Sequence, residues 1–241
     1  MKLKILQWNI WYKESIYNTD AILDFINRID ADIVCLQEIN SLEGKEDTIK
    51  KIVDNFPYGS FALADKLPDG RTQGNGIFSK YPIIKKEQKF IQKPSNNSDY
   101  SQEGRVYLEC ELNIDGNKLI VGTTHCSYTH KFEENEFKDK EIGNLLSFIK
   151  NNKDKYIFSG DLNASENSKY ILEFENIFDI CVDINDKTWT TKPFDYNGFT
   201  EDKLNWKLDY TFKTNDIKLI SSQVLKTELS DHLPTLIEIE I

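Results

Sequence analysis

Eight residues of this chain have types and spacing suited to joint chemistry: Asn9, Glu38, His125, Asp161, Asn163, Asp209, Asp231 and His232. They stand at or near the ends of short apolar runs. "KILQWN" closes on Asn9, "DIVCLQE" on Glu38 and "LIVGTTH" on His125, while "YIFSGDLN" carries Asp161 with Asn163 two residues later. "WKLDYTF" carries Asp209, and the loop before the last run carries Asp231-His232. Taken singly, each has an ordinary alternative: Asn9 and Asn163 as turn formers, Asp161 as a helix N-cap, His125 as a satisfied edge histidine, Glu38 as a solvated strand end. Six apolar runs delivering a carboxylate, an amide or an imidazole are not explained by turn chemistry alone. Carboxylate and amide oxygens with few thiolates select a hard cation, Mg²⁺ or Mn²⁺, over zinc. Histidines beside acids supply oriented imidazoles. Hydrolysis of a phosphoester needs an activated water, neutralised phosphoryl oxygens and a stabilised leaving oxygen. This inventory provides all three.

The elements that must position these groups are mostly strands. Period-two or continuous apolar runs predict strands at 4–9, 32–38, 76–79, 105–112, 118–124, 156–160, 208–212, 217–224 and 233–241. Asp115-Gly116-Asn117 reads as a hairpin turn between two of them. Pro234 can open the last strand but not sit inside a central one. Helical periodicity covers 19–29, with Ile22, Phe25, Ile26 and Ile29 on one face, and 134–150, with Ile142, Leu145, Leu146 and Ile149. Hairpins mixed with helical crossovers imply layered α/β packing. Pro57, Pro68, Pro82 and Pro94 mark loops, and one domain over 1–241 is the simplest organisation.

Composition bounds the partners. The 241 residues include 30 basic and 40 acidic side chains, a formal charge of −10, and only Arg28, Arg71 and Arg105 are arginine. That is not the broad basic surface of a protein held to nucleic acid by charge. A nuclease stays open, because a carboxylate metal site is itself acidic and the ion reverses its sign. Cys35 and Cys110 lie in apolar runs and read as buried free thiols, with no C-x-x-C pair present. "MKLKILQWNI" has no apolar stretch of signal-peptide length, and no run is long enough to span a bilayer. The expectation is a soluble cytoplasmic protein without a membrane or an obligate protein partner.

In order, "QWNI", "DIVCLQEI", "GNGIFSKYPI", "QEGRVYLECEL", "TTH", "SGDLNAS", "KLDYTF" and "SDHLP" resemble the endonuclease/exonuclease/phosphatase superfamily. The match runs over positions 5–236; each segment alone is weak, but LQE, GDLN and SDH in this order are specific. The resemblance implies an α/β fold, a four-layer α/β/β/α sandwich of two packed mixed sheets flanked by helices, with the site at one edge. By motif it implies Glu38 as principal metal ligand, with Asn9 and Asp231 near the same ion. His232 would act at the water or phosphoryl oxygen, oriented by Asp209. Asp161 and Asn163 would position the nucleophilic water and a phosphate oxygen, and His125 would bind the phosphoryl group or assist the leaving oxygen. The general base is either His232 or Asp161.

Three further residues enter as substrate contacts. Arg105, in a strand like that of abasic-site endonucleases, could reach a phosphate. Those enzymes typically carry a tyrosine-containing stretch where this chain has "TTHCSYTH", and Tyr128 is a partial substitute. "TWTTKPFDYNGFTEDKLNW" is dense in aromatics, with Trp189 able to stack a base or sugar or simply to pack a long loop. His130 reads as a loop residue. The functional expectation is a Mg²⁺- or Mn²⁺-dependent phosphodiesterase or nuclease. The alternative is a phosphomonoesterase for a small sugar, inositol or nucleotide phosphate. A catalytically dead binding module is disfavoured, since every motif position holds a competent residue.

Overall fold

The structure is a computed structural model that describes residues 1–95, 103–151 and 154–241. Gln102, which heads the segment "QEGRVYLECEL", lies outside the described residues. With strands numbered in chain order, the first sheet runs β13 (Lys218–Val224), β14 (Thr235–Glu240), β1 (Lys2–Asn9), β2 (Ile33–Leu42), β4 (Arg71–Ser79), β3 (Tyr58–Lys66). The second runs β5 (Ile83–Gln92), β6 (Arg105–Ile114), β7 (Asn117–His125), β8 (Tyr156–Asp161), β12 (Asp209–Lys213), β9 (Asp179–Ile180). A separate hairpin is formed by β10 (Phe194–Tyr196) and β11 (Phe199–Glu201).

The two sheets pack face to face over Leu3, Ile5, Ile33 and Cys35 from one and Leu108, Leu112, Val121 and Ile157 from the other, all buried. On the outer face of the first sheet, Leu6, Trp8, Val34 and Phe78 meet Ile22 and Ile26 of α2 (Thr19–Ile29) and Ile52 of α3 (Thr48–Asp54). On the outer face of the second, Phe158 and Phe212 meet Ile142 and Leu145 of α4 (Glu136–Ile149) and Phe174 of α5 (Lys169–Glu175). The layers are therefore helix, sheet, sheet, helix, and both sheets are mixed: β1 pairs parallel with β2 and antiparallel with β14, and β7 parallel with β8 but antiparallel with β6. Each fully buried Ile, Leu or Phe contributes about 1.5–3 kcal/mol. Three such apolar interfaces, not the propensity of short helices, hold the arrangement.

The local rules account for most boundaries. α2 ends at Asp30, which adopts the left-handed conformation (φ 55°). α4 begins after Asn135, whose side chain accepts from the Lys138 backbone N–H. Asp115 and Gly116 both have positive φ in the two-residue link between β6 and β7, as a primed hairpin turn requires. Pro234 stands just before β14, which lies between β13 and β1.

Several elements have no counterpart in the periodicity reading. β3 and β5 are edge strands, and β5 ("IIKKEQKFIQ") is exposed along most of its length, so little apolar alternation marks it. The helices α1 (Tyr12–Tyr17), α3 and α5 span two turns or fewer and form by packing against a sheet. All four cysteines, Cys35, Cys110, Cys126 and Cys181, are buried and free. Among the described residues no helix is long and apolar enough to cross a membrane.

Candidate active site

The site follows from a gradient along the strands. Residues two apart share a face. On the inter-sheet face, β1 reads Leu3, Ile5, Gln7, Asn9; β7 reads Leu119, Val121, Thr123, His125; β8 reads Ile157, Ser159, Asp161. The inward face is apolar at one end and polar at the other, and both sheets turn polar at the same edge. Register then aligns the second sheet's groups: His125 pairs with Asp161, and Asp161 with Asp209. Gly160 permits this close approach, since a Cβ there would lie 2.1 Å from Thr124 O.

Across the sheets, Asn9 is the joint. Its Nδ2 donates to Glu38 Oε1 (3.1 Å) and to Asp161 Oδ2 (2.9 Å), while its Oδ1 accepts from Trp11 N (3.0 Å). Glu38 is re-aimed by a bulge: the β2–β4 register shifts between Leu36 and Ile39, and Glu38 sits at φ 56°. Its Oε2 accepts from the Tyr12 backbone N–H at the start of α1 (2.8 Å). Trp11 (φ 54°) and Asn163 (φ 44°) also have positive φ, so three strained positions gather in this corner. Asp161 is not a helix cap: its Oδ1 accepts from Asn163 N (2.8 Å) in a tight turn.

His232 lies 2.8 Å from Asp209 Oδ2 through Nδ1. Asp209 Oδ1 accepts from Gln7 Nε2 (2.9 Å), and Gln7 Oε1 accepts from Thr235 Oγ1 (3.0 Å). The backbone of His232 is pinned from both sides, its N–H on Ser230 Oγ (3.0 Å) and its carbonyl on Trp8 Nε1 (3.0 Å). His232 Nε2 and His125 Nε2 each lie 3.5 Å from Asp161 Oδ2. His232, His125 and Asp161 line one cleft of about 260 Å³, together with Asp231, Tyr128, Phe194 and Arg71.

Residues 6–232 match the Endonuclease/Exonuclease/phosphatase family. The chain belongs to this family. Membership assigns it to the phosphoester hydrolases. An exodeoxyribonuclease of Bacillus subtilis (strain 168) is 24% identical over 166 residues, 68% of this chain and 59% of that relative, so the match spans less than two thirds of the relative's length. The Bacteroides thetaiotaomicron VPI-5482 mannosyl-6-phosphatase superposes with a TM-score of 0.72 at 15% identity, covering 99% of this chain and 100% of that one. The human Nocturnin catalytic domain with bound sulfate gives 0.74 at 17%, covering 99% and 93%. At these identities the structures establish the fold, the two-sheet sandwich with helices outside.

In this family member the buried charges set each other's protonation. Burial pushes the Asp231 and Asp161 carboxyls up to about 6, against the pull of the His232 charge. Burial likewise raises Glu38, opposed by its hydrogen bond from Asn9. For His232 burial acts downward, but Asp209, Asp161 and Asp231 outweigh it and hold the imidazolium well above its ordinary range. His125 goes the other way: burial and the charge of Arg105 keep it neutral, well below its usual value.

Three sequence expectations take a different form in the structure. Arg105 lines the cleft but is spoken for, with Nη2 on Glu103 (3.2 Å) and Nη1 3.1 Å from His125 Nδ1. A guanidinium only donates, so His125 Nδ1 accepts and the proton sits on Nε2, facing Asp161. Asn163 Nδ2, 3.1 Å from that same Nε2, donates instead to Cys126 O (2.9 Å). Trp189 lines the cleft but is only 4% exposed and packs edge-on against Phe132 and Phe194. Its Nε1 reaches Asp231 Oδ2 (3.2 Å), so it braces a site carboxylate. Asn9 turns a donor, not its oxygen, toward the carboxylates, the geometry of a bridge between them.

Tyr128 does line the cleft, beside Phe194 and Tyr196 (centroids 5.8 and 5.9 Å). His130 stays in its loop as expected, in a single 3-10 turn at His130–Phe132, exposed and outside the cleft. Gln7, Gln37, Trp8 and Ser230 were missed. Gln37 accepts from Gln7 Nε2 (2.9 Å) within the first sheet and donates to Thr123 Oγ1 (2.9 Å) across the sheet interface. For Gln7 and Gln37 the signal was present in the inward positions that turn from apolar to polar along β1 and β2.

Proposed function

We propose that the protein is a divalent-metal-dependent phosphodiesterase whose phosphoester sits between His125, Asp161 and His232. The observation that carries this is the pair of imidazole Nε2 atoms converging at 3.5 Å on one carboxylate oxygen, beside Glu38 and Asp231. The donor set fits a hard cation. Glu38, Asp161 and Asp231 are three neighbouring carboxylates, and among the described residues no lysine or arginine pairs with them. Asp161, Asp209 and His232 form the tightest group of ligand atoms, all within 4.8 Å. Asp209 is already committed to Gln7 and His232, so Glu38 and Asp231 are the better ligands. A Mg²⁺ or Mn²⁺ ion held there would supply charge neutralisation at the phosphoryl oxygens.

The chain's own groups do the rest. The raised Asp161 carboxyl, ionised at neutral pH, accepts the proton of the attacking water as the new P–O bond forms. His232, cationic and oriented by Asp209, donates from Nε2 to a phosphoryl oxygen. His125, neutral with its proton on Nε2, donates a second hydrogen bond as the leaving P–O bond breaks onto the departing oxygen. His232 is thus the electrostatic partner, and Asp161 the base.

A cleft of about 260 Å³ falls just below the usual range for small-ligand sites. Together with the −10 charge, it favours a single-stranded or terminal diester over long duplex DNA. The mannosyl-6-phosphatase, matched over 100% of its own chain, supports a second reading, a monoesterase for a small sugar phosphate. Four buried free thiols suit a reducing, cytoplasmic setting. The test is a panel of bis-p-nitrophenyl phosphate, p-nitrophenyl phosphate, single- and double-stranded DNA, RNA and sugar phosphates, each with Mg²⁺, Mn²⁺ or EDTA. Turnover of monoesters alone would replace the first reading with the second; no turnover on any member would end both.

A further inference from the structure

Arg71 opens β4 and lines the same cleft, yet it touches none of the groups assigned to the reaction. Its Nε donates to Asp69 Oδ2 (2.7 Å), and its backbone N–H donates to Asp69 Oδ1 (3.1 Å). Its guanidinium lies over the Tyr12 ring, 4.6 Å from the centroid. The side chain is 14% exposed. Depth and plane are therefore fixed from two directions, and among the described residues the two terminal nitrogens have no hydrogen-bond partner. A planar fork held this way is prepared for a bidentate anion.

The surroundings fit the same ligand. Lys13 and Lys192 line the cleft on this side, with Nζ atoms 5.0 and 5.6 Å from the Trp11 ring centroid. Three cations thus share one wall in a chain of net charge −10. Asp69, 54% exposed, answers Arg71 and Glu14 lies 3.6 Å from Lys192, while Lys13 has no salt-bridge partner among the described residues. Tyr12 measures the separation, since its backbone N–H holds Glu38 (2.8 Å) while its ring carries Arg71. The fork and the reacting centre are one tyrosine apart.

We propose that Arg71 forms a second anion subsite, selecting phosphoesters that carry another phosphate about one sugar unit from the scissile one. This rests on the phosphoester reading of the cleft. The experiment uses matched pairs with and without the extra phosphate: the dinucleotide dTpdT against its 5′-phosphorylated form, and mannose 6-phosphate against mannose 1,6-bisphosphate. A charge-assisted contact is worth roughly tenfold or more in kcat/KM. The expected result is a wild-type preference of that size for the doubly phosphorylated member of at least one pair. Arg71→Ala should bring the ratio near one, through KM, and Arg71→Lys should restore part of it. No wild-type preference in either pair, or an equal loss on both members in Arg71→Ala, overturns the subsite. If no phosphoester is turned over, including bis-p-nitrophenyl phosphate, the hydrolase reading fails separately. Calorimetry of thymidine 3′,5′-bisphosphate against thymidine 5′-monophosphate then decides the subsite: Arg71→Ala must abolish the extra affinity of the bisphosphate, and an unchanged difference refutes it.

Discussion

His232 Nδ1 and Asp209 Oδ2 are 2.8 Å apart although 23 residues separate them in sequence, and both side chains are buried. The contact fixes which imidazole nitrogen faces the cleft, because Nδ1 is committed to the carboxylate and only Nε2 remains.

From this pairing, His232→Ala should lower kcat roughly 10²–10³-fold, the scale of one lost donor to charge that develops in the transition state. Asp209→Asn should lose most of the same amount. The double variant should be no worse than His232→Ala, since a carboxylate without an imidazole has nothing to orient. Both single variants should also lower Tm, because each leaves a buried partner uncompensated. Additive losses in kcat would show that the two residues act independently.

Gln7 holds the other oxygen of Asp209. Gln7→Leu keeps the volume and removes the donor, so kcat should fall about tenfold, in line with one lost hydrogen bond to a charged group. KM should move little, as Gln7 lies between the sheets and does not line the cleft. A KM effect with unchanged kcat would reassign Gln7 to substrate binding.

Activity should vanish in EDTA and return with Mg²⁺ or Mn²⁺, because the proposed ligands are oxygen donors. Glu38→Gln should raise the metal concentration at half-maximal activity by about an order of magnitude or more. Undiminished hydrolysis by EDTA-dialysed protein would sink the metal requirement.

The pH dependence of metal-free stability isolates Asp231. Its folded pKa of about 6 lies above the ordinary aspartate value near ~3.9. The folded state therefore holds the proton more tightly, and the side chain becomes increasingly destabilising as pH rises through that window. Asp231→Asn removes the charge, so without metal it should have the higher Tm, by a small margin at pH 4.5 and a larger one at pH 7.5. A margin that does not widen with pH, measured by calorimetry in EDTA, would mean that Asp231 ionises freely.

Gly160→Ala should lower stability by about 1–3 kcal/mol or more, the cost of forcing volume into a packed interior. The added Cβ meets the Thr124 carbonyl at 2.1 Å, and yielding there separates the strands that align His125 with Asp161. Wild-type Tm and kcat in this variant would show that β7 and β8 tolerate a wider spacing.

The strands that matter, and what stands at their ends, are legible in the chain before it folds. Apolar runs of strand length ending in Asn9, Glu38, His125 and Asp161 are local facts, and so is the amphipathic face of α2. Layered α/β packing followed from such elements, and the four-layer sandwich from the family resemblance. The edge strand β5 was not legible, because an edge exposed on most of its length needs no apolar alternation.

Tertiary structure alone decided how the groups meet. The alignment of His125, Asp161 and Asp209 is a property of strand pairing, which no single segment encodes. Glu38 reaches Asn9 and Tyr12 because a bulge against β4 turns it, and that bulge exists only in the paired sheet. Trp189 has the composition of a stacking residue, but its neighbours bury it and leave only its indole N–H for Asp231. Arg105 has the charge of a phosphate ligand, yet Glu103 and His125 occupy it. A side chain's chemistry is local, but the charges and donors that claim it come from strands distant in sequence, and only packing brings them within reach.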